Sequence, residues 1–371
     1  MNIISSAIAG LLAMVLGLIE RIIQYILRVD DKKLYSLDHV ILSMEVPPQS
    51  MWMNMGYWKD TTSFKEASKA LLDQVLIAAK LLNEDGTPIE HHSQADVIKL
   101  VDVGIGCGDQ SLYLTRKVIG VTTFSDRRPP ISPRGIDPTA HGIDNSYNGK
   151  TRPLFDSYVG VTLIQCQADF ARERLMKSTK EPSIASDTTA NVEIFVADAA
   201  NPSSWSPDLQ ESVLDHHGST KPKRAQTWLL ALDTLYHYKP SRDPLLRYAH
   251  ETMQASFMAF DLLISDSAST WHKLILRLMC LVSGIPFSNF LTREEYEAQL
   301  VRAGYALDQI EMRDISEHVF AGIAGYIRRQ DAELKKYGMT VGKFKGAAKA
   351  FGWWARTGLV RGYVVVARKD R

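Results

Sequence analysis

Short apolar runs and longer helical repeats take turns along this chain. Val97, Ile98, Leu100, Val101 and Val103 form a β-branched run that reads as a buried strand. Similar runs follow at Tyr158–Leu163, Val192–Val196, Trp228–Leu232 and Ser256–Ile264, and two more are expected at Tyr305–Arg313 and Gly362–Ala367. Between them, Gln110–Lys117, Ile164–Lys177 and Leu245–Met253 read as helices. Ahead of the first run, Ala67, Leu71, Leu72, Val75, Leu76, Ala79 and Leu82 sit at helical spacing and predict a core-facing helix over Phe64–Leu82. Alternation of this kind predicts an α/β fold.

Polar stretches punctuate the pattern. Asn83–Gln94 and Ser206–Arg224 read as loops, and their His91-His92 and His216-His217 pairs have no metal-ligand partner at useful spacing. Thr122–Asp156, rich in proline, glycine and arginine, reads as a long surface insertion. Thr292 followed by Glu294 and Glu295 marks a capped helix running to Ala303. Trp271–Ser283 is strongly apolar but too short to span a bilayer. It is expected to cover the substrate, with Trp271, Leu274, Leu278 and Met279 lining the pocket.

Composition narrows the class. With 371 residues, 45% of them hydrophobic, and a formal net charge of +1, the chain can bury a sizeable core and shows no global field suited to nucleic acid. Three scattered cysteines argue against a disulfide framework or zinc site and fit a reducing compartment. The first residues change the picture again. Ile3–Ile19 holds 17 uncharged residues, at the lower limit for a spanning helix, and Arg21, Arg28, Lys32 and Lys33 follow it. Glu20, Gln24 and Arg28 put a polar stripe on the later half, which also suits a helix lying at an interface. Either way the expectation is membrane association with the catalytic domain facing the cytosol, the endoplasmic reticulum being one such membrane. The mixture of Lys335, Lys336, Lys343, Lys345 and Lys349 with Phe344, Phe351, Trp353 and Trp354 suits an anionic membrane surface as well.

Candidate chemistry gathers at the ends of the strands. The first run closes in Asp102-Val103-Gly104-Ile105-Gly106-Cys107-Gly108, with glycines on alternate positions. Glycine tolerates positive φ and has no Cβ to block a ligand, so this turn lets backbone approach a cofactor. The spacing D-x-G-x-G-x-G is not the G-x-G-x-x-G of dinucleotide folds, and the second strand, Tyr158–Leu163, lacks the acid that class needs, which argues against it. Asp198-Ala199 closes the Val192–Val196 strand. Asp233-Thr234-Leu235-Tyr236-His237-Tyr238 opens the end of the Trp228–Leu232 strand. Asp233 and His237, spaced i, i+4, share a face if a helical turn forms, and His237 is then placed as a general base. Trp205 belongs either to the core or against a ligand. Asp261 interrupts its strand, and Asp266 at the far end is expected to face the pocket.

The set resembles class I S-adenosylmethionine-dependent methyltransferases over about residues 50 to 371. Gly160-Val161-Thr162-Leu163 and Ala231-Leu232-Asp233-Thr234-Leu235-Tyr236-His237-Tyr238 are similar to the small-molecule branch of tocopherol and sterol methyltransferases and cyclopropane synthases. Met53-Asn54-Met55-Gly56-Tyr57-Trp58 is similar to that branch's lid segment, and a hydrophobic plug is the other reading of it. The resemblance implies a Rossmann-like seven-stranded sheet with helices on both faces, closed by an antiparallel strand pair, plus an N-terminal hydrophobic helix (1–34) and a helical cap (267–300). Residues 35–371 are then one catalytic domain carrying the 122–156 insertion.

It further implies S-adenosyl-L-methionine as cofactor, held by Asp102, Gly104, Gly106, Cys107, Gly108, Thr162, Asp198, Ala199 and Tyr57. Asp198 takes the adenine edge. Thr162 stands in the neighbourhood of the ribose acid, a departure from the usual pattern, with Gln167 a weaker option. Tyr236, Asp233 and His237 are the catalytic candidates, and no metal is called for. The implied activity is methyl transfer to a lipophilic small molecule (terpenoid, sterol-like lipid or polyketide) on oxygen, nitrogen or carbon. The alternative is a non-methylating or cyclase-type protein of the same fold that binds the same cofactor. A nucleic-acid methyltransferase would need a basic groove and a D-P-P-Y type motif, and the sequence has neither.

Overall fold

A computed structural model describes residue 17 and residues 50–89, 96–116, 118–121, 150–178, 191–214, 224–336 and 339–369. The N-terminal hydrophobic segment, most of the 122–156 insertion and both histidine pairs lie outside the described residues. Among the described residues no helix is long and apolar enough to cross a membrane.

The chain order is α1 (Phe64–Ala78), β1 (Asp96–Val103), α2 (Asp109–Thr115), β2 (Val118–Val121), β3 (Lys150–Pro153), β4 (Ser157–Thr162), α3 (Gln165–Ser178), β5 (Asn191–Val196), α4 (Pro207–Leu214), β6 (Arg224–Leu232), α5 (Asp243–Glu251), β7 (Ser256–Ile264), α6 (Thr270–Ser283), α7 (Arg293–Ala303), β8 (Ile310–Asp314), α8 (Phe320–Lys335), α9 (Phe344–Thr357) and β9 (Val360–Ala367). Seven strands form one sheet in the order β5-β4-β1-β6-β7-β9-β8. The first five are parallel; β9 runs antiparallel to both β7 and β8. This is the seven-stranded sheet that the sequence predicts. The chain winds outward from β1 in both directions, so the crevice beyond its carboxyl end is the ligand position for an open α/β sheet.

Alternation along the strands feeds two apolar cores. Ile98, Leu100, Trp228 and Leu230 join one face, and Val101, Val103, Leu229 and Ala231 the other. β7 is buried at every position, and Asp261 within it is paired with the buried Arg242 just before α5. Tyr296 donates to the same carboxylate at 3.1 Å, and the Leu262 amide at 2.8 Å. A charge inside a strand is tolerated when it is so fully partnered.

Three expectations need correction. Within Ser206–Arg224, read as loop, Pro207–Leu214 is the helix α4, whose Leu209 and Val213 are buried. Lys150–Pro153, inside the stretch read as loop, is a strand, but it pairs with β2 as a separate two-stranded ribbon. The strand expected at Tyr305–Arg313 begins only at Ile310, because Leu307–Gln309 makes a 3-10 turn. Tyr305 is buried for another reason: its hydroxyl bonds the Ala255 carbonyl at 3.0 Å.

Candidate active site

The three alternate glycines all have positive φ, +81° at Gly104, +56° at Gly106 and +84° at Gly108, but they do different work. A Cβ on Gly104 would stand 2.6 Å from Thr234 Oγ1, and one on Gly106 would stand 2.8 Å from Met53 Sδ. Both glycines floor a cavity of about 270 Å³ at the carboxyl ends of β1, β4, β5 and β6. Gly108 is not in its lining. It caps α2 and packs on α3, where a Cβ would lie 2.9 Å from the Ala171 Cα.

A strap of residues Met51–Met55 crosses one side of the cavity and is held by two carboxylates. The Met51 amide donates to Asp109 Oδ2 at 3.0 Å, and the Met55 amide donates to Asp233 Oδ2 at 2.7 Å. Asp109 is itself paired with Arg174, whose Nη2 lies 2.9 Å from Oδ1. Asn54 makes the N-x-G turn: its Oδ1 accepts from the Gly56 amide at 2.9 Å, and its Nδ2 donates to the Ser68 carbonyl at 3.1 Å. The turn carries Tyr57 and Trp58 away from the cavity. Tyr57 meets His318 at 5.0 Å between rings, and Trp58 packs on Phe64 and Tyr326. Tyr57 is therefore not a cavity residue; Met51, Trp52, Met53 and Asn54 are.

Asp102 is fully buried below the floor, not on it. Both its oxygens accept from Gln110 Nε2, at 2.6 and 2.7 Å, and Tyr158 donates to Oδ2 at 2.6 Å. Burial drives its pKa up to about 7 against these two donors. Gln110, which Asp102 holds, is what lines the cavity. Cys107 is likewise buried beneath the turn, its thiol pushed up to about 12 by desolvation. Asp102, Cys107, Gly108 and Tyr57, expected to contact a cofactor, do not line the cavity, and Asp102 instead holds Gln110, which does.

The remaining cofactor candidates do face the cavity. Thr162, at the end of β4, donates to Gln167 Oε1 at 2.9 Å, and both residues line the wall. Asp198 and Ala199 follow β5, and the Ala200 amide donates to Asp198 Oδ1 at 2.9 Å, which fixes the carboxylate at the cavity edge. Trp205 is in the core, its indole N–H on the Asp198 carbonyl at 2.9 Å.

At the end of β6 the expected helical turn is a short 3-10 helix, Leu235–His237, entered through Asp233 at φ +59°. Asp233 and His237 both line the cavity, whereas Tyr236 does not. The Tyr236 hydroxyl donates to Asp233 Oδ1 at 2.9 Å, so it fixes the carboxylate from behind. Burial raises Asp233 to about 7, opposed by the hydrogen bonds from Tyr236 and Met55. Burial, together with the Lys239 ammonium, depresses His237 to about 3. An imidazole so reluctant to hold a proton is a weak general base at neutral pH, and Asp233 is the better matched group.

The cap corrects a further expectation. Trp271, Leu274 and Leu278 are exposed to solvent, and only Gly284, the residue that ends α6, reaches the cavity. Asp266 is exposed and outside the lining. Met53 and Asn54 of the lid segment line the cavity, and residues that sequence reasoning did not single out are Gln110, Thr234 and Lys239. Thr234 sits within the very run that carries Asp233, so its place in that run was the available signal.

No family model matches the chain, and no curated protein matches it. Solved structures do resemble it in fold. A putative sarcosine dimethylglycine methyltransferase from Galdieria sulphuraria superposes with a TM-score of 0.53 at 11% identity, covering 92% of this chain and 99% of that one. The mycolic acid cyclopropane synthase CmaA1, solved with SAH and CTAB, gives 0.53 at 14% identity, covering 90% and 95%. The (4+2)-cyclase SpnF gives 0.51 at 14% identity, covering 92% and 95%. The fold is therefore the Rossmann-like methyltransferase fold.

Proposed function

We propose that this protein is an S-adenosylmethionine-dependent methyltransferase acting on a lipophilic small molecule. The observation that carries the reading is one cavity with a floor of two positive-φ glycines, Gly104 and Gly106, and the Asp198 carboxylate at its rim. A Cβ at either glycine would collide with Thr234 or Met53, so the floor admits no side chain, and the rim offers an acceptor to an exocyclic amine. Thr162, Gln167 and Gln110 supply neutral donors and acceptors of the kind that hold ribose hydroxyls and an amino-acid tail. The donor set therefore fits S-adenosylmethionine, which when bound supplies a methyl group already activated on a sulfonium.

What remains for the chain is alignment and exclusion of water. Met53 lies over the glycine floor, and the strap that carries it closes one wall with apolar side chains. Asp233 holds that strap through the Met55 amide and faces the cavity with a carboxyl poised near neutrality. An acceptor that must lose a proton gives it to Asp233. His237, kept neutral, presents a hydrogen-bonding group without charge. The test is mass spectrometry of lipophilic extracts incubated with protein and isotopically labelled donor. Labelled methyl groups in an extract compound support the reading, and donor binding without labelled product sinks it.

That second outcome is the alternative, a cyclase-type protein that binds the same donor without spending it. The (4+2)-cyclase among the structures of this fold favours keeping it. It predicts turnover of a polyene without consumption of donor.

A further inference from the structure

α6 presents apolar side chains to water along its length. Trp271 is 66% exposed, Leu274 38%, Leu278 54% and Val282 66%. At 100° per residue these four fall within about 80° of one another around the helix, a continuous stripe rather than scattered singles. The opposite face, Leu276 and Cys280, is the one that packs on the protein. The helix therefore carries two apolar faces, one packed on the protein and one exposed to solvent among the described residues.

The surroundings are cationic. Arg277 flanks the stripe on α6 itself. At the other edge His272 meets Trp353 of α9, ring centroids 5.7 Å apart, so the two helices share one surface. Lys349 and Arg356 are exposed on α9 beside that tryptophan. Lys345 contributes less, since it lies 3.5 Å from the Asp331 carboxylate, which also holds Lys335.

We propose that α6 lies in the boundary between headgroups and acyl chains of a bilayer containing anionic lipid, with Lys349 and Arg356 on its phosphates. An apolar stripe bordered by cations and a tryptophan is the pattern of an in-plane interfacial helix. The helix ends at Gly284 (φ +71°), which reaches the cavity, so the docked face sets the cavity's cap against the lipid. Delivery of an acceptor along this path rests on the function proposed above; docking does not.

The test uses the full chain and vesicles of phosphatidylcholine with or without phosphatidylglycerol. Flotation should show binding that requires the anionic lipid. Leu278→Glu/Val282→Glu should weaken it about a hundredfold, from the lost burial of two aliphatic side chains. Lys349→Ala/Arg356→Ala should weaken it about fivefold per charge. Because the N-terminal segment is a second apolar stretch, insertion of α6 itself is read by bromolipid quenching of tryptophan fluorescence, which should fall in Trp271→Phe. Quenching unchanged in Trp271→Phe, or vesicle binding unchanged in Leu278→Glu/Val282→Glu, overturns the proposal. A dimer that dissociates in that double variant while vesicle binding persists overturns it in favour of a second copy. Melting temperatures equal to the parent's confirm that the variants fold. None of these readings uses methyl transfer, so failure here and failure of the proposed activity are separable.

Discussion

The two halves of the cavity are built on opposite principles. Beneath β1, β4 and β5 the ligand-facing groups are set by nearby backbone: positive φ at Gly104 and Gly106, and an Asp198 carboxylate fixed two residues on by the Ala200 amide. At the end of β6 they are set by side chains from far along the chain. Asp233 is held against Met55, 178 residues earlier, and Asn289 donates to the Tyr238 carbonyl at 2.7 Å across 51 residues. The local half reads as a rigid seat. The distributed half depends on strap, loop and cap being together, which suits it to an acceptor that differs from one relative to another.

If that division is right, the largest effect belongs to Gly104→Val. Its side chain would collide with Thr234 at a φ that valine avoids, and donor binding by calorimetry should be lost by more than about a thousandfold. Gly108→Ala separates seat from scaffold. It meets the α3 backbone and should lower unfolding free energy by about 3 kcal/mol in denaturant titration. Donor affinity of the folded fraction should stay near the parent's. Asp198→Ala should weaken donor binding about 10- to 100-fold, the worth of one charge-assisted hydrogen bond. Unchanged affinity would remove the adenine assignment.

The distributed half should instead answer to pH. The Asp233 carboxylate accepts from Met55 and Tyr236, and these contacts favour its ionised form. As pH falls through about 7 it protonates, the strap loosens and donor affinity drops about fivefold, the scale of one hydrogen bond; Asp233→Asn should flatten the profile. Stability moves the other way. Asp233 and Asp102 both rise from 3.8 unfolded to about 7 folded, so their contribution is fully present below 3.8 and lost as pH rises through 7. His237, lowered from 6.5 to about 3, opposes them, its contribution present above 6.5 and lost as pH falls through 3. The smallest effect is expected for His237→Gln, within about threefold in turnover, because a neutral amide replaces a neutral ring. A loss of a hundredfold would return the role of base to His237.

The same division explains what the residues revealed unaided. The sheet was legible, since β1, β6 and β7 are apolar runs bounded by polar turns, and β7 falls at the expected Ser256–Ile264. Gly104, Gly106, Thr162 and Asp198 were legible because their positions are fixed within a few residues of a strand end. Gly108 and Asp102 share the same motif but serve it from below, and spacing does not distinguish a floor from its joists. Tyr236 lies outside the cavity lining, its hydroxyl on Asp233 and its ring 6.3 Å from Phe290 between centroids, contacts that sequence spacing does not report. The outward-facing α6 was misread because periodicity reports which side chains share a face, not whether anything covers it.

Arg242 sets a limit on rebuilding this protein. Its guanidinium joins the Asp261 carboxylate of β7 to the Asn289 carbonyl, while the Asn289 amide reaches the carbonyls of Tyr236 and Tyr238. Anyone exchanging α6 for the corresponding segment of another protein of this fold has natural seams at Ser269 and Gly284. A graft that extended past Asn289 would strand a buried cation and unseat the Leu235–His237 turn with it.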